Sequence, residues 1–462
     1  MENDIKRVHF IGIGGAGMSG IALVAHEQGI RVTGSDLKES RYMKALFQTG
    51  IPVTVGHAAA HVEDPSIDVV VVSAAVPEHN LEYRAAREKG LEVWQRAQML
   101  AYLARRHHTL AVAGTHGKTT TSSMLASSLD RLGASPTFLI GGVVDGYDAT
   151  AHVGTGFWLV VEADESDGSF TWLDPQLAII TNVECDHMDH YRCLEEIEAA
   201  FSAFLDKLRP DGIAVICADD PCLCALAHSS RRRFITYGLS AKADVRCLPS
   251  DTSFTVLFPD GERLNLSLPA SPGEHNMLNA TAVMAALDAL GFQREAAAQA
   301  VSAFSGVRRR FDIIGQEAGV TVVDDYGHHP TEVTATLKAA RGLLYKRVHV
   351  LFQPHRYTRT EALLPQFAQA FDHADTVSLL EVYSAGEAPI PGVNSETLAE
   401  AIREHNPAAC VRLIRHRPEA ALVMAKLAEP GDLVITMGAG DITLIAPHIL
   451  MALRQLRLDL PS

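Results

Sequence analysis

Four consecutive valines, Val69 to Val72, sit inside the stretch SIDVVVVSAAV. A strand with one solvated face alternates apolar and polar residues, because successive side chains point to opposite faces. An unbroken β-branched run instead suits a strand covered on both faces, as in a parallel sheet between helices. Similar runs recur in KRVHFIGI, HHTLAVAG, FWLVVEAD, LAIITNV, GIAVICADD, VTVVDDY, RVHVLFQ and GDLVITMGAG. Helical stretches such as MSGIALVAHEQG, LEYRAAREKG and EEIEAAFSAFLDKL separate them. This alternation predicts an α/β chain built on doubly wound, mostly parallel sheets. The stretch AKADVRCLPSDTSFTVLFPDGERLNLSLP breaks the pattern by alternating around the turn PDGE, and predicts an antiparallel appendage.

Length and charge narrow the class further. A chain of 462 residues has room for roughly two to four domains. The net charge of -15 disfavours general nucleic-acid binding, which needs a basic face to displace phosphate counterions. The 7 cysteines include no C-x-x-C pair, so a disulfide framework or thiolate zinc site is not expected and a reducing compartment fits. No apolar run approaches the roughly 18 residues of a membrane span, and the first residues lack a signal-segment pattern. The expectation is a cytoplasmic protein.

Two glycine-rich loops follow strands and open helices. The first, with Gly12, Gly14 and Gly17, spells G-x-G-x-x-G, and Asp36 follows at about the dinucleotide spacing. Taken alone, it fits a nicotinamide site as well as any other diphosphate. The second, AVAGTHGKTTTSS, places Gly114, Thr115, Gly117, Lys118, Thr119 and Thr120 where a phosphate cradle needs them. Glycines let backbone N–H groups approach an anion, the lysine reaches the terminal phosphates, and the threonine hydroxyl suits Mg²⁺. Its G-x-x-G-K-T spacing is one turn shorter than the usual P-loop. Downstream, Glu162 ends the run FWLVVE, with Asp164, Glu165 and Asp167 after it. Asn182, Asp186, His187 and Asp189 follow the run LAIITN. Oxygen-rich strand ends beside a phosphate loop point to a nucleoside triphosphate with Mg²⁺ rather than to hydride transfer. Solvated loop acids account for some of this cluster. The reading is three α/β domains: a Rossmann-like N-terminal domain at 1–104, a P-loop-type central domain at 105–306 and a Rossmann-like C-terminal domain at 307–462.

The motifs GTHGKTTT, EADESDGSF, TNVECDHMDHY, GEHNMLNA, RRRF, DDYGHHPTE and FQPHRYTRT occur in this order across nearly the whole chain. Together they resemble the Mur ligases of peptidoglycan synthesis. The resemblance implies ATP-driven amide formation. A carboxylate attacks the γ-phosphate of ATP, and an amine displaces phosphate from the acyl phosphate. Within the family the motifs resemble the alanine-adding branch, which implies UDP-N-acetylmuramate and L-alanine as substrates. The nearest alternative is the branch that attaches a preformed tripeptide to the same sugar nucleotide. A nicotinamide oxidoreductase and a non-enzymatic nucleotide switch are the readings from other classes.

The resemblance also implies roles. Lys118 is similar to the phosphate-binding lysine, Thr119 and Glu162 to Mg²⁺ ligands, and His187 to a histidine near a second Mg²⁺. His275, Asn276 and Asn279 resemble the segment that contacts adenine, and Asn276 also reads as a helix cap. Arg310 resembles an arginine reaching the ATP phosphates, and Asp325 the acid on the ATP ribose, while Arg308 and Arg309 receive no role. The first domain is then expected to hold UDP: Gly14, Gly15, Ala16 and Gly17 at the pyrophosphate, Asp36 at the ribose, with His57 and Ser73 at later strand ends. Tyr326, His328, His355, Arg356 and Arg359 are expected to grip the amino acid, whose carboxylate suits an arginine fork. Some relatives carry a carbamoylated lysine on the helix after D-H-M-D. Here EEIEAAFSAFLDKL offers only Lys207, near its end, so that site is not expected.

Overall fold

The valine run does become a strand buried on both sides. The computed structural model describes residues 4–144, 146–165, 168–184, 191–230, 232–250 and 253–458. The first sheet comprises β1 (Arg7–Ile11), β2 (Arg31–Asp36), β3 (Val53–Val55), β4 (Val69–Val72) and β5 (Glu92–Gln95). Its order is β3-β2-β1-β4-β5, parallel throughout. Val69 to Val72 are each at most 3% exposed. Val70 and Val72 join Ile11, Ile67, Tyr83 and Ala86 in one core on one side of the sheet. Each fully buried valine is worth about 1.5–3 kcal/mol, so a polar residue anywhere in the run would be costly. The strand order reverses at β1, which opens the ligand crevice at its carboxyl end.

The second sheet has ten strands: β6 (His108–Ala113), β7 (Thr137–Val144), β8 (Ala149–His152), β9 (Trp158–Glu162), β10 (Leu177–Ile180), β11 (Ile213–Cys217), β12 (Arg233–Gly238), β13 (Val245–Pro249), β14 (Phe254–Leu257) and β15 (Arg263–Leu266). Their order is β15-β14-β13-β12-β11-β10-β6-β9-β7-β8. The expected appendage is only partly antiparallel. β14 and β15 form the hairpin, but β13 pairs parallel with β12. The sequence reading gave no strand to TFLIGGVV. It forms β7, parallel to β9 on one side and antiparallel to β8 on the other. Two glycines in its middle weaken the strand signal.

The third sheet comprises β16 (Asp312–Glu317), β17 (Val320–Asp325), β18 (Val348–Phe352), β19 (Thr376–Leu379), β20 (Cys410–Leu413) and β21 (Leu433–Met437). It runs β16-β17-β21-β18-β19-β20, with only β16 antiparallel. Apolar helices cover both faces, one around Val333, Leu337 and Phe367 and the other around Met424, Ile449 and Leu453.

The chain divides into two compact units: 1–248, 254–266 and 278–304 in the first, and 249–253, 267–277 and 305–462 in the second. The first therefore holds both glycine loops. Within it the helix Ala16–Glu27 packs on β7 and β8 at Gly20. A Cβ there would lie 2.9 Å from both Ala151 and Leu139, so only glycine permits the approach. No helix among the described residues is long and apolar enough to cross a membrane.

Candidate active site

The second glycine loop leaves β6 at Gly114 and enters the helix Lys118–Arg131. Gly114 has φ +127° and Gly117 φ +84°, conformations that favour glycine. The loop is braced from the end of β10. Asn182 accepts from the Thr115 N–H at 3.0 Å through its carbonyl and from the His116 N–H at 2.8 Å through its side chain. The Thr181 hydroxyl donates to the His116 carbonyl at 2.5 Å. Asn182 is thus a loop brace, a role its grouping with the oxygen-rich strand ends did not indicate.

Lys118 is 12% exposed and its ammonium is held at three points. It donates to the Gly114 carbonyl at 2.7 Å, the Thr115 carbonyl at 3.3 Å and Glu165 at 2.7 Å. Burial alone would lower its pKa, but Glu165, Asp164 and Glu162 outweigh burial and keep it raised. The lysine stays cationic, as phosphate binding would require. Thr119 donates its hydroxyl to Glu162 at 2.8 Å, and the other Glu162 oxygen accepts from the Gly141 N–H at 2.6 Å. A hydroxyl and a carboxylate at that separation form an all-oxygen donor set, which fits a hard divalent cation such as Mg²⁺. His187, Asp186, Asp189 and Asp167 lie outside the described residues. Asn279 sits beside Gly117, where a Cβ would come 2.9 Å from its side-chain oxygen.

The first glycine loop is shaped by Asp36, at the end of β2. Its carboxylate accepts from the Gly14 N–H at 2.8 Å, and a Cβ on Gly14 would stand 2.9 Å from the same oxygen. Asp36 therefore orders the loop, and a ribose contact would have to share it. The Ser40 hydroxyl donates to the Gly14 carbonyl at 2.7 Å. Gly15 is the N-cap of the following helix, and Ala16 and Gly17 begin its first turn, where N–H groups have no partner within a helix. Ser73, after β4, lies against Gly12, 3.0 Å from where a Cβ would stand. His57, after β3, is 3.1 Å from the Ser35 hydroxyl and 3.4 Å from buried Glu82.

A cavity in this unit is lined by Ala16, Gly17, Arg96, Gly141, Glu162 and Asp164, among others. It puts the first glycine loop and the Glu162 end of β9 on one space. Arg96, which the sequence gave no reason to choose, reaches over Gly17. A Cβ there would meet its guanidinium nitrogen at 2.7 Å.

In the second unit, the ends of β17, β18, β19 and β21 carry the rest. Asp325 is 4% exposed, and its oxygens accept from the Phe311 and Gly327 N–H groups, each at 2.8 Å. Arg310 pairs with Glu332 at 3.3 Å, and His328 lies 3.3 Å from the same carboxylate. Arg309 pairs with Asp324 and donates to the Gly438 carbonyl at 2.6 Å, a structural use that fits its having no assigned role. His328 and His355 meet edge to face at 5.8 Å between ring centres. His355 stacks on Tyr383 at 5.5 Å, a residue the sequence reading missed. Arg359 reaches His355 at 3.5 Å. Arg356 has φ +68°, an uncommon backbone state for a side chain this large, and its N–H is tied to the Tyr383 carbonyl at 2.8 Å. Tyr326, His328, His355, Arg356 and Arg359 lie around one sheet end. Asn276 is the third residue of the helix Glu274–Ala289 and donates to the Pro272 carbonyl at 3.1 Å, so it does not cap that helix.

Burial holds three histidines of this unit neutral. It pushes His275 down to about 4, helped by Arg310. It pushes His328 to about 4 against the pull of Glu332, with Arg359 adding to the drop. His355 falls to about 4 through burial, His328 and the two arginines. In the unfolded chain these rings take up protons near pH 6.5. Stability is therefore complete above that pH and is lost as pH falls from about 6.5 towards about 4, with a ceiling on the order of 3 kcal/mol per ring. Urea midpoints at pH 7 and pH 5 test this. The midpoint should fall, and its fall should shrink in His275→Gln; equal midpoints would show that these rings titrate normally.

Comparison with known proteins agrees along nearly the whole chain. Residues 7–108 match the family described as Mur ligase family, catalytic domain. Residues 112–287 match the Mur ligase middle domain, and residues 309–440 the Mur ligase, glutamate ligase domain. The UDP-N-acetylmuramate–L-alanine ligase of Anaeromyxobacter sp. (strain Fw109-5) is 46% identical over 450 residues, 96% of this chain and 97% of that protein. The crystal structure of the UDP-N-acetylmuramate–alanine ligase of Thermotoga maritima superposes with a TM-score of 0.79 at 30% identity, over 97% of this chain and 99% of the other. A murein peptide ligase from Psychrobacter arcticus follows at 0.70 and 27%, over 99% and 100%.

Proposed function

The chain belongs to the Mur ligase family, and on that premise we propose which of its residues carry the reaction. The protein is an ATP-dependent ligase of peptidoglycan synthesis that joins UDP-N-acetylmuramate to L-alanine. The observation that carries the assignment of chemistry is the second glycine loop, with Lys118 cationic and Thr119 against Glu162. The lactyl carboxylate is a poor acylating agent, so it is first phosphorylated by ATP. The alanine amine then attacks the acyl phosphate, and phosphate leaves.

We assign residues 1–104 to the sugar nucleotide, 105–306 to ATP and 307–462 to the amino acid. Gly14, Gly15, Ala16 and Gly17 take the pyrophosphate on backbone N–H groups at a helix start. Arg96 adds a cation beside them. Lys118 neutralises charge on the transferring phosphate, and Gly114, Thr115, Gly117 and Thr120 complete the cradle. Thr119 and Glu162, with His187, would hold Mg²⁺, which offsets phosphate charge when bound. His275, Asn276, Asn279 and Asp325 serve the nucleoside end of ATP, and Arg310 its phosphates. Arg356 and Arg359 take the alanine carboxylate, with Tyr326, His328 and His355 around its side chain. Neutral imidazoles there avoid repelling the substrate ammonium. The use of ATP and a UDP-sugar, both cytoplasmic metabolites, supports a cytoplasmic enzyme.

The test is phosphate release from ATP with Mg²⁺, UDP-N-acetylmuramate and one amino acid at a time. Release is expected only with the sugar nucleotide and L-alanine together, and is expected to stop with EDTA. Release with a tripeptide in place of alanine would move the enzyme to the other branch. Release independent of the sugar nucleotide would overturn the mechanism.

A further inference from the structure

Glu82 is a buried carboxylate that the reaction above does not use. It is the second residue of the helix Leu81–Glu88, whose N-cap Asn80 accepts from the Glu82 and Tyr83 N–H groups at 2.9 and 3.2 Å. Its side chain is 0% exposed, and among the described residues no lysine or arginine pairs with it. Three histidines surround it instead. One oxygen accepts from the Ser35 hydroxyl at 2.5 Å and lies 3.2 Å from His9 Nε2. The other lies 2.5 Å from His61 Nδ1 and 3.4 Å from His57 Nδ1, and accepts from the Ala58 N–H at 3.1 Å. Burial pushes its pKa up, but these donors outweigh burial and hold it at about 2. A carboxylate this deep persists as an anion only because each oxygen is so well supplied with donors.

The bonds reach the first glycine loop. Ser35 is the penultimate residue of β2, and its carbonyl accepts from the Gly12 and Ile13 N–H groups at 2.8 and 3.0 Å. The hydroxyl of Ser35 has one proton, which it gives to Glu82. The 3.1 Å contact between that hydroxyl and His57 Nδ1 must then be donated by the ring. In the neutral ring this leaves Nε2 as an acceptor. His57 is 15% exposed, and Nε2 is its remaining polar atom.

We propose that Glu82 is a positioning residue for the sugar-nucleotide site. It fixes Ser35, whose carbonyl holds the Gly12 and Ile13 N–H groups, and sets the His57 tautomer, so that His57 accepts a hydrogen bond from a hydroxyl or imide N–H of the nucleoside. The inference rests on the reading of His57 as a sugar-nucleotide contact. It predicts a defect specific to one substrate, because the roles proposed above put neither ATP nor alanine on these groups.

Full-length Glu82→Gln, Ser35→Ala, His57→Ala and the Glu82→Gln/His57→Ala double variant test it. UDP binding is read by calorimetry, the KM of each substrate and kcat by phosphate release, and folding by thermal melts. Each single variant is expected to raise the UDP Kd and the sugar-nucleotide KM about tenfold, the loss of one oriented hydrogen bond. ATP and alanine KM and kcat should stay within about twofold. The double variant should bind no more weakly than His57→Ala. Ser35→Ala keeps the carboxylate and carries the test if Glu82→Gln does not fold. A purely structural role would lower the melting temperature of folded variants and leave Kd unchanged, which overturns the proposal. If His57→Ala weakens UDP but the other single variants do not, positioning fails and the His57 reading stands. If His57→Ala changes nothing, both fall.

Discussion

Lys118→Met is expected to lower kcat by roughly a thousandfold, about 4 kcal/mol of transition-state stabilisation. The ammonium cannot be supplied from elsewhere, because the loop builds its position from two carbonyls and Glu165. Methionine fills similar volume but leaves Glu165, 2% exposed, without its cation. Breaking a buried pair costs about 3–5 kcal/mol in stability. The double variant with Glu165→Gln separates the two effects: it should recover much of the melting temperature and none of the rate. Lys118→Arg is expected to fare little better, since a planar fork does not fit a site made for a point charge. Sugar-nucleotide binding by calorimetry should not change. Substantial turnover in folded Lys118→Met would remove this loop from the chemistry.

Gly114→Ala should be nearly as damaging for a different reason. An added Cβ would lie 2.1 Å from the Thr181 hydroxyl oxygen and 3.0 Å from the Asn182 backbone, at φ +127°. The backbone state alone costs on the order of 1–3 kcal/mol, and relieving the overlap adds a similar amount. The strand end and the loop must separate, which breaks the Asn182 bonds that set the loop's N–H groups. ATP affinity is expected to fall more than about a hundredfold, the equivalent of 3 kcal/mol. Gly133→Ala is the control. Gly133 also has positive φ, at +77°, but nothing lies within 4 Å of its Cβ position. It should cost only about 1–2 kcal/mol of stability and leave ATP binding alone. Equal ATP affinities in the two variants would mean that the cradle is not formed by this loop.

How far the sequence could be read follows from which signals are local. Val69 to Val72 pointed to a doubly covered strand, because four β-branched side chains in a row suit one that is buried on both faces. Gly114 and Gly117 announced a tight loop, because positive φ is a property of single residues. By contrast β7 was hidden by Gly141 and Gly142, which carry no side chain to mark a face. Asp36 and Asp325 read as ligand-facing acids, and the structure turns them onto protein donors as well, Asp36 onto the Gly14 N–H and Asp325 onto the Phe311 and Gly327 N–H groups and the Thr336 hydroxyl. Which way a carboxylate turns depends on N–H groups from distant segments, and no local spacing records that.

The sequence by itself determined the α/β class, the two phosphate-type loops and the lysine, threonine and acids near the second of them. These follow from periodicity, backbone permissiveness and charge, all readable within a few residues. Only the tertiary structure decided that Arg96 crosses Gly17, that Glu165 holds Lys118, that Tyr383 backs His355 and that Glu82 gathers three histidines. Each of these pairs residues far apart in the chain, where side-chain reach and burial choose the partner.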